Sequence, residues 1–224
     1  MKSRLAEKNN VELIFVRHGE TFWNTENRVQ GHLDSPLTNR GIAQAETIAQ
    51  RFTDEQIDVF YSSDLGRASH TARIIANTIG IEVCADARLR ERNLGIFQGL
   101  TYAEMSIRFP VEFALFETRD PAWRIPEGES GEDVKVRLTN FLNEIDMLHA
   151  GARIGIVTHG GILDMLIRLT FGLPLSGPRA FSLFNGSLNR FSLKNGRLGL
   201  LTWGDISHLL TAVGDDPTYS VKSL

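Results

Sequence analysis

The chain has 224 residues, of which 42% are hydrophobic and 23% are charged, and both values are ordinary for a protein that buries a core. A formal net charge of -3 argues against a nucleic-acid or anionic-membrane binder that relies on overall basicity. The single cysteine, Cys84, excludes a disulfide framework and a zinc site built from several thiolates.

The length suits one large domain or two small ones, and no repeat or linker divides the sequence, so we expect a single domain over residues 1–224. No apolar run reaches the roughly 18 residues that a membrane-spanning helix needs. The first ten residues lack the apolar segment of a signal peptide. We therefore expect a cytoplasmic protein with no membrane partner.

Short apolar runs rich in β-branched and aromatic residues alternate with segments of helical periodicity. The runs predict strands at residues 11–16, 57–61, 81–85 and 153–157. Thr38 is the expected cap of the first helix, Ser62 or Ser63 that of the second, and Ser130 with Asp133 forms the expected capping box of the third. This alternation predicts an α/β fold, a three-layer α/β/α sandwich around a mainly parallel sheet.

Two regions depart from the alternation. About residues 97–130 are rich in aromatic residues and proline, and they predict a small cap insertion of short helices and loops. Beyond Pro178, β-like runs near 180–184, 187–193 and 198–203 are separated by Asn-Gly pairs, which are strong hairpin signals.

Three strand ends carry unusual side chains. Arg17 and His18 follow the first strand, His159 follows the fourth, and Arg67 lies in the opening turn of the helix after the second. In open parallel sheets, ligands bind beyond the carboxyl ends of the strands, where helix N-termini favour anions. A lone histidine or arginine at such a place is usually structural. Together, these four residues predict a site for a dianionic, tetrahedral phosphate.

Longer motifs contain these residues. The first is Leu-Ile-Phe-Val-Arg-His-Gly-Glu-Thr at 13–21, with Asn24, Asn-Arg at 27–28 and Gln-Gly at 30–31. Further motifs occupy residues 34–38, 61–68, 89–95 and 157–161. In this order and spacing, from about residue 11 to past residue 201, they resemble the histidine phosphatase superfamily in its phosphoglycerate mutase-like branch.

The resemblance implies a role for each strand-end residue. His18 would be the nucleophile that forms a phosphohistidine, a role that suits a neutral imidazole whose other nitrogen donates to a backbone carbonyl. Arg17, Arg67 and His159 would hold the phosphoryl oxygens and stabilise the transition state. The remaining substrate-binding residues that it implies are Asn24, Gln30, Gly31 and Gly160.

The resemblance also makes Glu91 the proton donor to the leaving oxygen, and then the base that activates water. On charge pattern alone, Glu91 is a solvated carboxylate among Arg88, Arg90 and Arg92. Those arginines would disfavour its protonated form if they pointed inward. No metal or other cofactor is implied, because two arginines and the histidines supply the positive charge that magnesium supplies in other phosphoryl-transfer sites.

The superfamily contains both phosphatases and mutases on one core. Bisphosphoglycerate-dependent mutases typically carry an Arg-Arg pair in the insertion, whereas residues 109–120 here are aromatic and acidic. We therefore expect a phosphatase acting on small-molecule phosphate monoesters, with a bisphosphoglycerate-dependent phosphoglycerate mutase as the alternative. A phosphate-binding module without turnover is disfavoured because His18, Glu91 and His159 are all present. A homodimer is left open.

Overall fold

The computed structural model describes residues 10–209, which form one sheet of six strands. The strands are β1 (Val11–Arg17), β2 (Val59–Ser62), β3 (Val83–Ala85), β4 (Arg153–Thr158), β5 (Leu188–Lys194) and β6 (Arg197–Asp205). Their order across the sheet is β3-β2-β4-β1-β5-β6. The first four run parallel, and β5 and β6 form an antiparallel edge.

Helices cover both faces of this sheet. They are α1 (Phe22–Thr25), α2 (Asn39–Phe52), α3 (Gly66–Ile79), α4 (Tyr102–Arg108), α5 (Pro110–Glu117), α6 (Gly131–Leu148) and α7 (Gly160–Phe171). Short 3-10 turns at Ala87–Leu89 and Gly95–Phe97 precede α4. Within residues 10–209, no helix combines the length and the apolar character needed to cross a membrane.

The central strand β1 explains the three layers. Leu13 and Phe15 pack into one core cluster with α6 and α7, while Ile14 and Val16 pack into a second with α2 and α3. Successive strand residues point to opposite faces, so a fully apolar strand must be covered on both sides. All four of these side chains are fully buried. The predicted α/β sandwich with a mainly parallel sheet is confirmed.

Two of the expected helix starts are confirmed. The Thr38 side chain accepts a hydrogen bond from the Gly41 amide at the start of α2. Ser130 and Asp133 form the reciprocal capping box of α6. Both caps satisfy amide groups that have no partner inside their helix.

The expected cap of α3 is wrong. Neither Ser62 nor Ser63 occupies the cap position, which belongs to Leu65 and has no side-chain hydrogen bond of its own. Instead, the Asp34 carboxylate accepts a hydrogen bond of 2.6 Å from the Gly66 amide. The helix is thus capped from a loop 32 residues earlier, which a local sequence pattern does not reveal.

The run at 180–184 forms no strand, contrary to the prediction. Side chains bind its backbone carbonyls: the Trp203 indole donates to Ser182 and the Arg17 guanidinium to Leu183. The place beside β1 is taken by β5. The Asn-Gly pair at 185–186 therefore leads into β5 and makes no hairpin.

The second Asn-Gly pair does make the predicted hairpin. Asn195 and Gly196 join β5 to β6, with positive φ angles of 51° and 71°. A two-residue type I′ turn, whose twist matches that of the strands it joins, needs positive φ at both positions. The residues after 209 lie outside the described part of the chain.

Short helices are also confirmed within residues 97–130, where α4 and α5 lie. Phe97, Leu100, Met105 and Ile125 form a small buried cluster there. Several of the other aromatic side chains pack against it, as expected for residues that attach an insertion to a core. The exposed Tyr102 makes edge contacts with two rings of α5.

Candidate active site

The pairing of β1 with β4 brings two histidines together. Arg17 and Thr158 are partners in adjacent parallel strands, so the residues after them, His18 and His159, leave the sheet side by side. Their ring centroids lie 5.2 Å apart. The predicted meeting of the two strand ends is confirmed as geometry.

His18 is buried and points one ring nitrogen at its own backbone. Nδ1 lies 2.8 Å from the Gly19 carbonyl oxygen, which only accepts, so Nδ1 carries the hydrogen. Burial, with the charges of Arg67 and Arg17, holds the pKa of His18 well below its ordinary value of 6.5. His18 is therefore neutral at pH 7, and its Nε2 has a free lone pair.

The turn after His18 is held by close backbone packing. A Cβ on Gly19 would overlap the Gly41 carbonyl oxygen, and a Cβ on Gly41 would overlap the Glu20 carbonyl oxygen. The start of α2 thus lies directly against the residues that follow the strand. This packing determines where the His18 ring stands.

Arg67 reaches the two histidines from the first turn of α3. Its Nη atoms donate to the carbonyls of Gly31 and Leu33 and to the Asp34 carboxylate, at 2.8 to 2.9 Å. Its Nε is buried with no partner among residues 10–209. These contacts hold the Arg67 side chain in one orientation.

The guanidinium of Arg17, like that of Arg67, is bound through Nη and, within the described residues, unbound at Nε. One Nη donates to the Leu183 carbonyl, while the buried Nε has no partner in the described range. Burial lowers the pKa of Arg17 to about 10, against the raising effect of Glu91. The guanidinium stays charged at pH 7.

His159 is fully buried at the start of α7. Its Nε2 lies 2.8 Å from the Ser63 hydroxyl oxygen, and its Nδ1 has no partner within residues 10–209. Burial, followed by the charge of Arg67, holds its pKa well below 6.5. Within residues 10–209, three buried nitrogens, one each on Arg17, Arg67 and His159, thus lack partners. All three residues neighbour His18, His159 through its ring and the two arginines through their charges. Buried polar atoms normally have partners, so this group points to an anion that binds there.

Glu91 lies beside this group. One carboxylate oxygen accepts from the Gly161 amide at 2.9 Å, and the other accepts from the Arg92 amide at the same distance. A Cβ at position 161 would overlap the carboxylate, so only glycine leaves room for it. The contact places Glu91 at the N-terminal end of α7, next to His159.

Of the arginines that flank Glu91 in sequence, Arg88 and Arg90 bind acidic residues elsewhere, whereas Arg92 lines the same cavity as Glu91 and interacts with its charge. Their side chains bind acidic partners or backbone carbonyls elsewhere. The contacts are Arg88 with Asp86 and Glu144, Arg90 with Asp64, and Arg92 with the carbonyls of Trp123 and Glu129. Two more distant residues, His32 and Arg137, donate to the Glu91 carbonyl and hold its backbone. The inward orientation considered from the sequence therefore does not occur for Arg88 and Arg90.

Asn24 has its amide oriented by neighbours. Its Oδ1 accepts from the Thr21 amide at 3.1 Å and from the Asn185 side chain at 3.2 Å. Asn185 also donates to the His18 carbonyl at 3.0 Å. The Asn24 Nδ2 group is thus available as a donor, and Asn185 links it to the nucleophile strand.

Gln30, Gly31 and Gly160 lie around the same group. The Gln30 amide donates to the Thr21 hydroxyl at 2.7 Å, and its buried Oε1 has no partner in the described chain. Gly31 supplies one of the carbonyls that hold Arg67. A side chain on Gly160 would contact the Arg17 guanidinium.

A cavity of about 770 Å³ adjoins this group. Glu91 and Gly161 form part of its lining, together with Tyr102 and Phe116 from the 97–130 region and Phe181 from the segment before β5. The cavity is therefore mixed in character, with aromatic walls near a carboxylate.

One cation stands out in the cavity lining. Arg179 approaches Asp164 with its Nε at 3.3 Å, while Asp164 makes a shorter contact of 2.7 Å with Arg168. Burial lowers the pKa of Arg17 and raises the pKa of Tyr102, and the charge of Arg179 makes a smaller, lowering contribution to each. Arg179 thus lines the cavity within electrostatic range of both Arg17 and Tyr102.

A family comparison agrees with this geometry. The sequence model described as histidine phosphatase superfamily (branch 1) matches residues 13–206. The chain belongs to the histidine phosphatase superfamily. Among curated relatives, phosphoglycerate mutase-like protein 4 of Arabidopsis thaliana is 43% identical over 202 residues, covering 88% of this chain and 86% of that protein.

Solved structures of the superfamily share the fold. Bacillus stearothermophilus YhfR aligns with a TM-score of 0.81 at 33% identity, over 89% of this chain and 99% of that one. A mycobacterial glucosyl-3-phosphoglycerate phosphatase in complex with VO3 aligns with a TM-score of 0.76 at 33% identity, over 86% and 98%. Names of both kinds, phosphatase and mutase-like, thus occur among similar proteins.

Several residues at the superfamily site were missed by sequence reasoning. Ser63, Asn185, Arg137 and Asp34 each hold a predicted site residue through a contact distant in sequence. The motif around Ser63 was visible, but it predicted a helix cap and not a histidine partner. Arg137 and Asn185 carried no signal beyond helix periodicity and a turn pair.

Proposed function

We propose that this protein hydrolyses phosphate monoesters through a phosphohistidine on His18. The observation that carries the proposal is a set of buried nitrogens on Arg17, Arg67 and His159 that have no partner among residues 10–209, in residues that neighbour His18 and its free Nε2. A phosphoryl group held by these donors lies against a neutral nucleophile. Asn24, Gln30, Gly31 and Gly160 complete the wall of the same pocket.

The first half of the reaction transfers the phosphoryl group. The lone pair of His18 Nε2 forms the N–P bond as the P–O bond to the alcohol breaks. Glu91, in its protonated form, gives its proton to the departing oxygen. The alcohol leaves, and the negative charge on the phosphoryl oxygens is stabilised by two guanidinium groups.

The second half releases phosphate. Glu91, now a carboxylate, takes a proton from a water molecule whose oxygen attacks phosphorus, and the N–P bond returns its electrons to His18. Inorganic phosphate leaves and Glu91 is protonated again. The position of Glu91 on the cavity lining, open to water and to a leaving group alike, supports both roles.

The cavity supports a leaving group larger than phosphate. We assign residues 97–130 the role of a cap over the site, because Tyr102 and Phe116 face the cavity from there. The substrate class is small phosphorylated molecules with an organic group that contacts these rings. Metal independence is part of the proposal, since Arg17 and Arg67 supply two positive charges where phosphate binds.

Hydrolysis is favoured over a mutase reaction by the composition of the cap. Glu112, Glu117 and Asp120 lie in or beside α5 with one arginine, Arg119, so the cap has no pair of adjacent basic residues. The phosphoglycerate mutase stays the second candidate because a relative at 43% identity is named mutase-like. Cytoplasmic location, independence of nucleic acid and membranes, and a homodimer remain predictions from the sequence.

The test is a purified-protein assay in a buffer containing a metal chelator. We expect release of inorganic phosphate from an aryl phosphate and from a subset of sugar, glycerate and nucleotide phosphates. No release from any of them would overturn the proposal in favour of a binding module. Interconversion of monophosphoglycerates that requires added bisphosphoglycerate would favour the mutase. Activity that appears only when magnesium or zinc is restored would contradict metal independence.

A further inference from the structure

Ser63 lies at the end of β2, fully buried, with its hydroxyl directed at His159. The oxygen accepts a hydrogen bond from the Leu65 amide at 3.3 Å and lies 2.8 Å from His159 Nε2. Neither residue is exposed to solvent. The contact joins two strand ends that are 96 residues apart in sequence.

Counting hydrogens decides the direction of this bond. The Ser63 oxygen already accepts from the Leu65 amide, and its own hydrogen needs an acceptor because it is buried. Among residues 10–209, the acceptor found for it is His159 Nε2. Nε2 therefore holds a lone pair, and the ring hydrogen of a neutral His159 sits on Nδ1.

The other ring nitrogen of His159, Nδ1, is then a hydrogen-bond donor. Within the described residues, His159 Nδ1 is buried without a partner, as are the Nε atoms of Arg17 and Arg67, whose charges both act on His159. We propose that Ser63 is a positioning residue that holds His159 as its Nδ1–H tautomer, so that His159 donates a hydrogen bond to the transferred phosphoryl group. The inference rests on the proposed function for the identity of the anion.

The two histidines then form a complementary pair. His18 has its hydrogen on Nδ1 because of the Gly19 carbonyl, and it presents a lone pair on Nε2. His159 has its hydrogen on the same atom because of Ser63, but it presents that hydrogen. The opposite tautomer of His159 would turn a lone pair toward an anionic oxygen and leave the Ser63 hydrogen without an acceptor. The low pKa of His159 keeps the ring neutral, so that a tautomer choice exists.

Nitrogen NMR of the folded protein reads the tautomer directly. In protein labelled with 15N-histidine, long-range correlations distinguish a pyrrole-type from a pyridine-type nitrogen, and a His159→Gln sample assigns the ring. We expect a pyrrole-type Nδ1 and a pyridine-type Nε2 for His159 in the free enzyme. A pyrrole-type Nε2 in the wild type would overturn the proposal, and this reading needs no variant to fold and no turnover.

Variants test the role of Ser63. Ser63→Ala removes the donor, and we expect signals of the other tautomer, about tenfold weaker binding of inorganic phosphate by calorimetry, and about tenfold lower kcat/KM. The loss in kcat/KM is equal for aryl and alkyl phosphates, because the donor contacts the phosphoryl group. Ser63→Thr restores a hydroxyl and the wild-type signals.

Ser62→Ala is the matched control. Its hydroxyl is also buried but donates to the Ser63 carbonyl, so His159 keeps its partner. We expect unchanged histidine signals and phosphate affinity within twofold. Ser63→Ala with a wild-type histidine spectrum would overturn the proposal. An enzyme that binds phosphate with the expected tautomer but turns over no ester would instead refute the proposed function alone.

Discussion

The pocket around His18 and the cavity beside it differ in how their side chains are held. Arg67 in the pocket is 2% exposed and binds three fixed oxygen acceptors. Arg179 in the cavity has a side chain that is 47% exposed, and within residues 10–209 its one acidic contact is at 3.3 Å. One region is ordered before any ligand arrives, whereas the other can adapt to the ligand.

The difference follows the chemistry that each region would serve. Donors that stabilise a transition state act best when they need no rearrangement during the reaction. A leaving-group site must instead select among organic groups, and rings and long side chains on loops adapt to them. We therefore expect substitutions in the pocket to lower turnover of every substrate, and substitutions in the cavity to change the choice among substrates.

The largest effect is expected for His18→Ala. If His18 is the nucleophile, as proposed, its loss should lower kcat at least about 10⁴-fold on every substrate. The measurement is steady-state phosphate release with a check of the fold by circular dichroism. His70→Ala, on the exposed side of α3, is the control. More than trace activity in a folded His18→Ala would remove His18 from the reaction.

Glu91→Gln should lower activity by about 10² to 10⁴-fold on alkyl phosphates, which need a proton on the leaving oxygen. An aryl phosphate with a good leaving group should lose much less in its phosphorylation step. Rapid-quench measurement separates that step from hydrolysis of the phosphoenzyme, which should also slow. Equal losses in phosphorylation for both ester types would exclude Glu91 as the acid.

If Glu91 is excluded, the carboxylates of Glu20 and Glu104 are the next to test. Glu20 accepts from the Thr38 hydroxyl, and Glu104 pairs with Arg28 while capping α4. Both are therefore already bound to protein groups. We expect Glu20→Gln and Glu104→Gln to keep the leaving-group dependence of the wild type.

Arg67→Ala should cost roughly 3 kcal/mol of transition-state stabilisation, about 10² to 10³-fold in kcat/KM, with little dependence on the leaving group. Arg90→Ala is the matched control, since its ion pair with Asp64 is at the surface. Urea unfolding separates this effect from stability, because Arg67 also binds the 31–34 loop. A kcat/KM near the wild type would place Arg67 outside the reaction.

Arg179→Ala should keep kcat/KM for an aryl phosphate within about twofold of the wild type. Its effect on alkyl phosphates should depend on the leaving group. A charged hydrogen bond is worth about 1.5 kcal/mol or more, so kcat/KM for phosphoglycerate should fall about tenfold further than for glycerol phosphate. The two esters differ by one carboxylate. Arg197→Ala, at the start of β6, is the control. Equal losses in kcat/KM for the two esters would mean that Arg179 does not bind the carboxylate of the leaving group.

The smallest effect concerns pH and stability. His18 and His159 have pKa values below 6.5 in the folded chain, because of burial first and neighbouring arginines second. Below pH 6.5 the unfolded chain therefore binds protons that the folded chain does not, and the unfolding free energy falls as pH falls. Each histidine adds a slope approaching 1.4 kcal/mol per pH unit, by a rough count.

Urea unfolding between about pH 5 and 7 measures this slope. We expect His18→Asn to have a shallower slope than the wild type. No difference between His18→Asn and the wild type would show that His18 takes up a proton in the folded state, which would weaken the contrast between a rigid, neutral pocket and an adaptable cavity.

The parts of the fold that follow from local pattern were predictable. Strand β1 is apolar on both faces, so its burial between two helix layers could be inferred, as could the helix caps at Thr38 and Ser130. The hairpin of β5 and β6 was predictable too, from the Asn-Gly pair at 195–196. The absence of a strand at 180–184 was not, because the side chains that bind its carbonyls, Arg17 and Trp203, are distant in sequence.

For the site, the strand-end rule brought the histidines and arginines together, and the family motif added Glu91. The residues that orient these side chains could not be predicted from the sequence, because each contact joins residues that are far apart in the chain. Ser63 is 96 residues from His159, and Arg137 is 46 from Glu91. Such contacts depend on which strands are neighbours in the sheet, and the spacing of residues along the sequence does not indicate the strand order.

The packing of Gly19 against Gly41 affects how a complete mutational scan of this protein would read. Neither glycine has a side chain to contact a substrate, yet every substitution at either position must move backbone that supports His18. Both positions should tolerate change as poorly as the nucleophile itself. A mutational scan would therefore not distinguish positions needed for the chemistry from positions needed for backbone packing. A library designed to alter substrate choice should keep Gly19 and Gly41 and vary the residues that line the cavity.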